Sequence, residues 1–220
     1  ALTRVFGAEA RFEVAGRTRA GLLAGEDVLP PQLRLYSGGV NTVRGVPQNF
    51  LGPKILFASE SNARELGCEI VPGGCPEGIV VDPNRVSARP TGGDLVAELN
   101  LEARYWLTNT FQVAAFADFG VIGRTVFGGS GDGFVDDDWG MALTPGVGFR
   151  ILTGLGPIRI DLGYDPSGAD SWPLLTRDPE TRDILFLGDV VYDPWGWDDP
   201  GSWRRFWRRL ELHVAIGQAF

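Results

Sequence analysis

Leu95-Val96-Ala97-Glu98-Leu99-Asn100-Leu101-Glu102-Ala103-Arg104-Tyr105 decides the fold. Leu95, Ala97, Leu99, Leu101, Ala103 and Tyr105 share one face of an extended chain, and Glu98, Asn100, Glu102 and Arg104 share the other. Apolar and polar residues that alternate singly have the period of a β-strand, so the run predicts a strand over about 94–106. A turn, Leu107-Thr108-Asn109-Thr110, leads into a second such run, 111–122. There Phe111, Val113, Ala115, Ala117 and Phe119 point one way, and Gln112, Ala114, Phe116, Asp118 and Gly120 the other. The pair reads as an antiparallel hairpin with one apolar face and one face of charges and small residues.

Further strands follow outward from this hairpin. Residues 139–152 set Met141, Leu143, Val147, Phe149 and Ile151 against Gly140, Ala142, Thr144, Gly146, Gly148 and Arg150. Pro145 lies within them and predicts a bulge or a missing ladder bond. Thr153-Gly154-Leu155-Gly156 is a short turn before 157–165, where Ile158, Ile160, Leu162 and Tyr164 oppose Arg159, Asp161, Gly163 and Asp165. A last strand is expected over about 206–220, with Leu210, Leu212, Val214, Ile216 and Phe220 opposite Arg209, Glu211, His213, Ala215, Gly217 and Ala219. Toward the start, residues 3–14 alternate, Ala15-Gly16-Arg17 reads as a tight turn, and a second strand covers about 18–27. Long connections at 28–91, 123–138 and 166–204 alternate with short ones. Seven strands are therefore legible.

Composition separates the ways such strands can be used. The 220 residues include 31 Gly and 15 Pro, and no apolar run approaches the length of a membrane helix. A transmembrane barrel needs none, since its strands of about 9–11 residues alternate in polarity. Charges and glycines in mid-strand, asymmetric loops and a terminal aromatic favour a membrane barrel with a polar lumen. A soluble sandwich or ligand-binding barrel is the other reading of the same alternation. The net charge of −8 argues against a nucleic-acid partner. Cys68 and Cys75, close together in the first long loop, predict a disulfide in an oxidising compartment. No further Cys or His nearby completes a metal site, and none is expected. No secretory signal opens the chain at Ala1, so the numbering is expected to begin inside a longer precursor or an expressed fragment.

Within the segment 28–91, Gly38-Gly39-Val40-Asn41-Thr42-Val43-Arg44-Gly45-Val46 places one arginine between glycines. Such a loop can present Arg44 as the tip of an inserted finger. Alternation puts Glu102 and Asp118 on the charged face of neighbouring strands, where one guanidinium can bridge both. The competing readings are a solvated arginine on a surface turn and unrelated lumen charges.

At this point a family likeness emerges. The matching pieces are Leu29-Pro30, Arg34-Leu35-Tyr36-Ser37-Gly38-Gly39, Val43-Arg44-Gly45 and Leu51-Gly52-Pro53, then Gly92-Gly93 and Leu101-Glu102-Ala103-Arg104. Phe116-Ala117-Asp118-Phe119-Gly120, Gly146-Val147-Gly148-Phe149-Arg150, Gly156-Pro157-Ile158-Arg159-Ile160-Asp161 and Ile216-Gly217-Gln218-Ala219-Phe220 complete them. In this order the chain resembles the C-terminal barrel region of the BamA/TamA-type outer-membrane assembly proteins, the bacterial surface antigen family. Val46 departs from it, because the family commonly has an aromatic after Arg-Gly. The final extracellular loop is also unusually long. The resemblance implies a barrel of about 16 strands preceded by POTRA domains, with the matching arginine folded into the lumen against the matching acids. No POTRA domain is legible here. Seven open strands would leave two unpaired edges in lipid, so a partner chain or a missing N-terminal segment is expected to complete the barrel.

The remaining constellations are weaker. Arg204, Arg205, Arg208 and Arg209 interleave with Trp203, Phe206 and Trp207, which reads as a lipid headgroup contact or an ordinary interfacial anchor. Asp132, Asp136, Asp137 and Asp138 form an acidic loop that does not match a calcium-binding pattern. His213, the one histidine, has no nucleophile near it in sequence, and no catalytic role or cofactor is expected.

The function implied is folding or insertion of nascent outer-membrane proteins in the bacterial outer membrane, by templating at a seam bounded by Ile216, Gly217 and Phe220. The alternatives are a structural barrel subunit of a larger envelope complex and the membrane anchor of an upstream enzyme domain.

Overall fold

The computed structural model describes residues 2–6, 11–24, 29–70, 72–123, 139–154, 156–196 and 202–217. The acidic loop with Asp132, Asp136, Asp137 and Asp138, and the terminal Phe220, lie outside the described residues.

Two sheets account for the strands. The first runs β1 (Leu2–Phe6), β2 (Phe12–Leu22), β6 (Leu95–Trp106), β7 (Phe111–Gly123), β8 (Trp139–Thr153), β9 (Gly156–Tyr164) and β12 (Leu210–Ile216), in that spatial order. Every neighbouring pair is antiparallel. Sequence neighbours therefore pair except across the two long excursions, between β2 and β6 and between β9 and β12. Among the described residues β1 and β12 each have one neighbour and form the two edges.

The faces of this sheet invert those of a soluble protein. Leu101, Leu143, Val147, Leu212, Val214 and Ile216 are exposed, whereas Glu98, Asn100, Glu102, Asp118, Arg150, Arg159 and Asp161 are buried. The alternation of β6 and β7 runs through the full ladder from Leu95↔Gly123 to Trp106↔Gln112. A wall with apolar residues outward and charges inward suits lipid on one side and a polar interior on the other.

The second sheet is where the chain departs most from the sequence expectation. The segment 28–91 has no sustained period, yet it holds a 3-10 turn at Pro31–Leu33, β3 (Lys54–Phe57), α1 (Glu60–Glu65), β4 (Val80–Val81) and β5 (Ser87–Pro90). The expected loop 166–204 holds β10 (Asp170–Arg177) and β11 (Ile184–Tyr192). These strands form a five-stranded sheet in the order β4-β11-β10-β3-β5, with β10/β3 and β11/β4 parallel. Strands of two to four residues are too short to show alternation. The sheet buries its own core of Leu56, Ala63, Val81, Trp172, Leu174, Leu187 and Val190. Ser59 caps α1 by accepting from the Asn62 N–H at 3.2 Å.

Two boundaries differ from the sequence expectation. Ala15-Gly16-Arg17 is not a turn: β2 runs straight through it, paired with β6 from Phe12↔Tyr105 to Leu22↔Leu95. One glycine does not stop a strand whose flanks keep their alternation, and the connection lies between Phe6 and Phe12. The last strand starts at Leu210, because Ser202–Arg208 is a helix, α2. Trp203, Phe206 and Trp207 have i, i+3, i+4 spacing; Trp203 stacks on Phe206, Trp207 meets both edge-on, and Phe206 lies 5.4 Å from the Tyr164 ring. Pro145 causes no register shift against β7, but the β8/β9 ladder begins only at Gly146↔Gly163.

Cys68 and Cys75 are joined in a disulfide, with no free cysteine among the described residues. Cys68 packs in the core of the second sheet. Thiol labelling of native protein is expected to find no reactive cysteine before reduction. Closing so short a loop stabilises by roughly 2–3 kcal/mol on the chain-entropy model, so Cys68→Ser should lower the unfolding midpoint of this sheet. Two labelled thiols in native protein would refute the pairing.

Candidate functional site: a buried finger and an open edge

The finger turns on Gly38 and Gly39, both at φ +105, a region that side chains rarely adopt. The Gly39 N–H donates to the Val46 carbonyl at 2.9 Å and closes the loop. Val43 and Val46 pack with Leu51, Val96, Ile122 and Ala142, so apolar contacts flank the arginine. These pins fix how deep the finger goes.

Arg44 is 2% exposed. Its Nε donates to Asp118 Oδ2 at 2.7 Å and its Nη2 to Asp118 Oδ1 at 2.9 Å, a bidentate fork. Nη1 donates to Glu102 Oε2 at 2.5 Å, and the backbone N–H of Arg44 donates to Asp118 at 3.1 Å. The guanidinium carbon lies 3.5 Å from the Phe116 ring centroid, a cation–π contact. Arg44, Glu102 and Asp118, expected to meet from strand parity, therefore lie together. Val43, Gly38, Gly39 and Gly45 shape the loop around them.

The cluster is larger than the sequence reading proposed. Arg150 donates to Glu102 at 3.0 Å and to Asp161 at 2.5 Å. Arg104 donates to the same Glu102 at 2.6 Å, and Arg159 lies 3.7 Å from Asp161 and donates to Asn41 of the finger at 3.0 Å. The finger backbone is held as well. Asn100 donates to the Thr42 carbonyl at 2.5 Å, and the Gly45 N–H reaches Thr144 at 3.3 Å. A Cβ on Gly163 would stand 2.5 Å from the Arg44 carbonyl oxygen, so only glycine allows β9 to approach there. All these residues sit on inward positions of their strands. What parity could not supply is register, which pairs Arg150 directly with Arg159 and Gly148 with Asp161.

His213 links this cluster to the edge of the sheet. Its Nε2 donates to the Arg44 carbonyl at 2.8 Å. The finger is thereby fastened to β12, the edge strand. On the opposite face Ile216 is 75% exposed, and the Gly217 N–H donates to the Pro157 carbonyl at 2.7 Å. Of the four arginines around α2, Arg205 pairs with Asp193 at 3.2 Å and Arg209 donates to the Pro166 carbonyl. Arg204 and Arg208 are exposed beside Trp203 and Trp207.

Lys54, at the start of β3, has its pKa lowered to about 8 by burial, opposed by the charges of Asp170 and Asp165. Between pH 8 and its ordinary value the unfolded chain holds the extra proton, so this lysine destabilises the fold most below pH 8. Lys54→Met is expected to raise the unfolding midpoint at pH 7. The gain should shrink as pH rises through 8 and vanish above the ordinary lysine range. Unfolding curves of both proteins at pH 7 and pH 10 check this, and an equal gain at both would contradict it.

A sequence model of the Omp85 superfamily domain matches residues 3–172. That span contains the finger and every acid and arginine of its cluster, and it stops inside β10. No curated protein sequence matches the chain.

Proposed function

The chain belongs to the Omp85 superfamily, whose members are bacterial outer-membrane proteins, and on that premise we propose that it folds or inserts other outer-membrane proteins by templating at its β12 edge. The first sheet is part of the wall of a transmembrane barrel, with the exposed apolar face in lipid. The observation that carries the reading is the edge itself. β12 pairs with β9 alone among the described residues, so a row of N–H and C=O groups is open to a further strand. The segment 28–91 enters the lumen through its finger, which holds β9 and β12 in place while the free side of β12 receives a client. The role is one of binding and positioning, without a catalytic group. Partners are outer-membrane lipid, nascent outer-membrane proteins, and the strands that complete the barrel.

The test is reconstitution. Vesicles holding the full-length protein should speed the folding of a client barrel, and a cysteine at Leu212 should crosslink to the client's last strand during that reaction. Absence of both effects from correctly inserted protein would favour the structural or anchoring barrel instead. Deleting Phe220 should sharply lower the amount of heat-modifiable protein in the outer membrane, and unchanged levels would count against the outer-membrane assignment.

A further inference from the structure

The upper half of β8 rises past the end of β9. Trp139–Pro145 pair with β7 on one side, while the ladder to β9 starts at Gly146. A cavity of about 750 Å³ fills the gap between this half-strand, the segment 165–170 leading into β10, and the start of β3. Phe50, Trp139, Met141, Trp172, Tyr192 and Trp195 line it. The apolar exposed face of β8 continues from Met141 down to Leu143 and Val147, so the cavity opens onto the surface assigned to lipid.

Its polar groups are few and unevenly paired. The Lys54 ammonium donates to the Gly52 carbonyl at 2.8 Å and lies 4.7 Å from the Trp172 ring centroid. Among the described residues it makes no ion pair, so most of its hydrogen-bonding capacity is unused. Asp165 and Asp170 line the same cavity and act on Lys54 only at longer range. Asp165 is 4% exposed, and its Oδ1 accepts from the Ser167 N–H.

We propose that this cavity binds one phospholipid with a zwitterionic phosphate–ammonium head group, its phosphate on Lys54, its ammonium beside Asp165 and Asp170, and a chain along Met141 and Leu143. Charge complementarity chooses the head group. One ammonium and two carboxylates give the cavity a net charge of −1. A purely anionic lipid would deepen that deficit, and a ligand with only an amine would leave Lys54 unpaired. A zwitterion leaves the net charge at −1, sets its one ammonium between the two carboxylates and pairs a desolvated cation, which is otherwise costly to bury. Trp139, half exposed in the cavity's lining, offers a ring face to the ligand's ammonium as well. Bound there, the lipid covers the flank of β8 that β9 leaves unpaired, on the side of the wall toward β12.

The inference rests on the membrane reading of the first sheet, and the experiment separates the two. Full-length protein is inserted into vesicles of equal parts phosphatidylethanolamine and phosphatidylglycerol, extracted, and weighed by native mass spectrometry. Failure to insert at all would strike at the membrane reading. Inserted protein is expected to keep one phosphatidylethanolamine in preference to phosphatidylglycerol. Lys54→Gln should lower that retention about tenfold, the loss of one charged contact. Asp170→Asn, at an exposed position, should narrow the preference between the two lipids without loss of heat-modifiable fold. Equal retention of both lipids by the unaltered protein, or undiminished retention by folded Lys54→Gln, would overturn the proposal.

Discussion

Arg44→Ala is expected to detach the finger and lower the stability of the first sheet by about 3–5 kcal/mol, the usual cost of removing one partner from a buried charged cluster. The side chain makes a fork to Asp118, a bond to Glu102 and a face contact with Phe116. Without it Glu102 keeps Arg104 and Arg150, but the buried Asp118 carboxylate loses the fork that satisfies it, which raises the cost of its charge unless water enters. Arg44→Lys should recover only part of the loss, because an ammonium cannot reproduce the planar fork. The backbone bonds of the loop to Asn100, Thr144 and His213 do not depend on the side chain. They set a limit on how far the finger can move. Urea unfolding in detergent, followed by tryptophan fluorescence, gives the stability. Protease cleavage within 38–46 reports release of the loop. A variant as stable and as protected as the parent would show that the arginine does not anchor this segment.

The wall of the first sheet was legible because its strands are long and its two faces face opposite solvents. Twelve residues in β6 and thirteen in β7 give the alternation enough length to be unambiguous. Gly16 misled for a local reason, since a glycine reads as a turn when its paired strand is not in view. The second sheet was illegible because β3, β4 and β5 are brief and come from the first excursion, while their partners β10 and β11 come from another about a hundred residues later. Parallel pairing between distant segments leaves no local signature. Helix α2 was hidden differently. Its arginines and aromatics suggested an interface, and the helical spacing of Trp203, Phe206 and Trp207 was absorbed into the expected strand.

The same distinction explains the site. Glu102 and Asp118 were found by parity within one hairpin, where a turn of known length nearly fixes register. Asp161 and Arg150 had the right parity, but their meeting with Arg44 depends on how β8, β9 and the finger stack in three dimensions. His213 had no partner to suggest itself, because what it binds is a backbone carbonyl of the finger. That bond joins the edge strand to the buried cluster, so a change at the edge and a change at Arg44 are mechanically connected.

Glu102→Ala should therefore be the most damaging single substitution in the molecule. Its two oxygens accept from Arg44 at 2.5 Å, Arg104 at 2.6 Å and Arg150 at 3.0 Å. Arg44, Arg104, Arg150 and Arg159 face Glu102, Asp118 and Asp161, four cations against three anions. Losing Glu102 leaves four against two, all in groups at most 6% exposed. The loss should reach the upper end of the range for buried charge removal, about 5 kcal/mol. Glu102→Gln keeps the shape and one acceptor but not the charge, so it should fall between Ala and the parent. The comparison with Arg44→Ala decides whether the cluster acts as one unit. In the double variant Arg44→Ala/Glu102→Ala the imbalance returns to three cations against two anions. The combined loss should then be clearly smaller than the sum of the two single losses, a coupling measurable by a double-mutant cycle. Additive losses would mean that the finger and the wall are stabilised independently, and that the network seen here has no energetic unity.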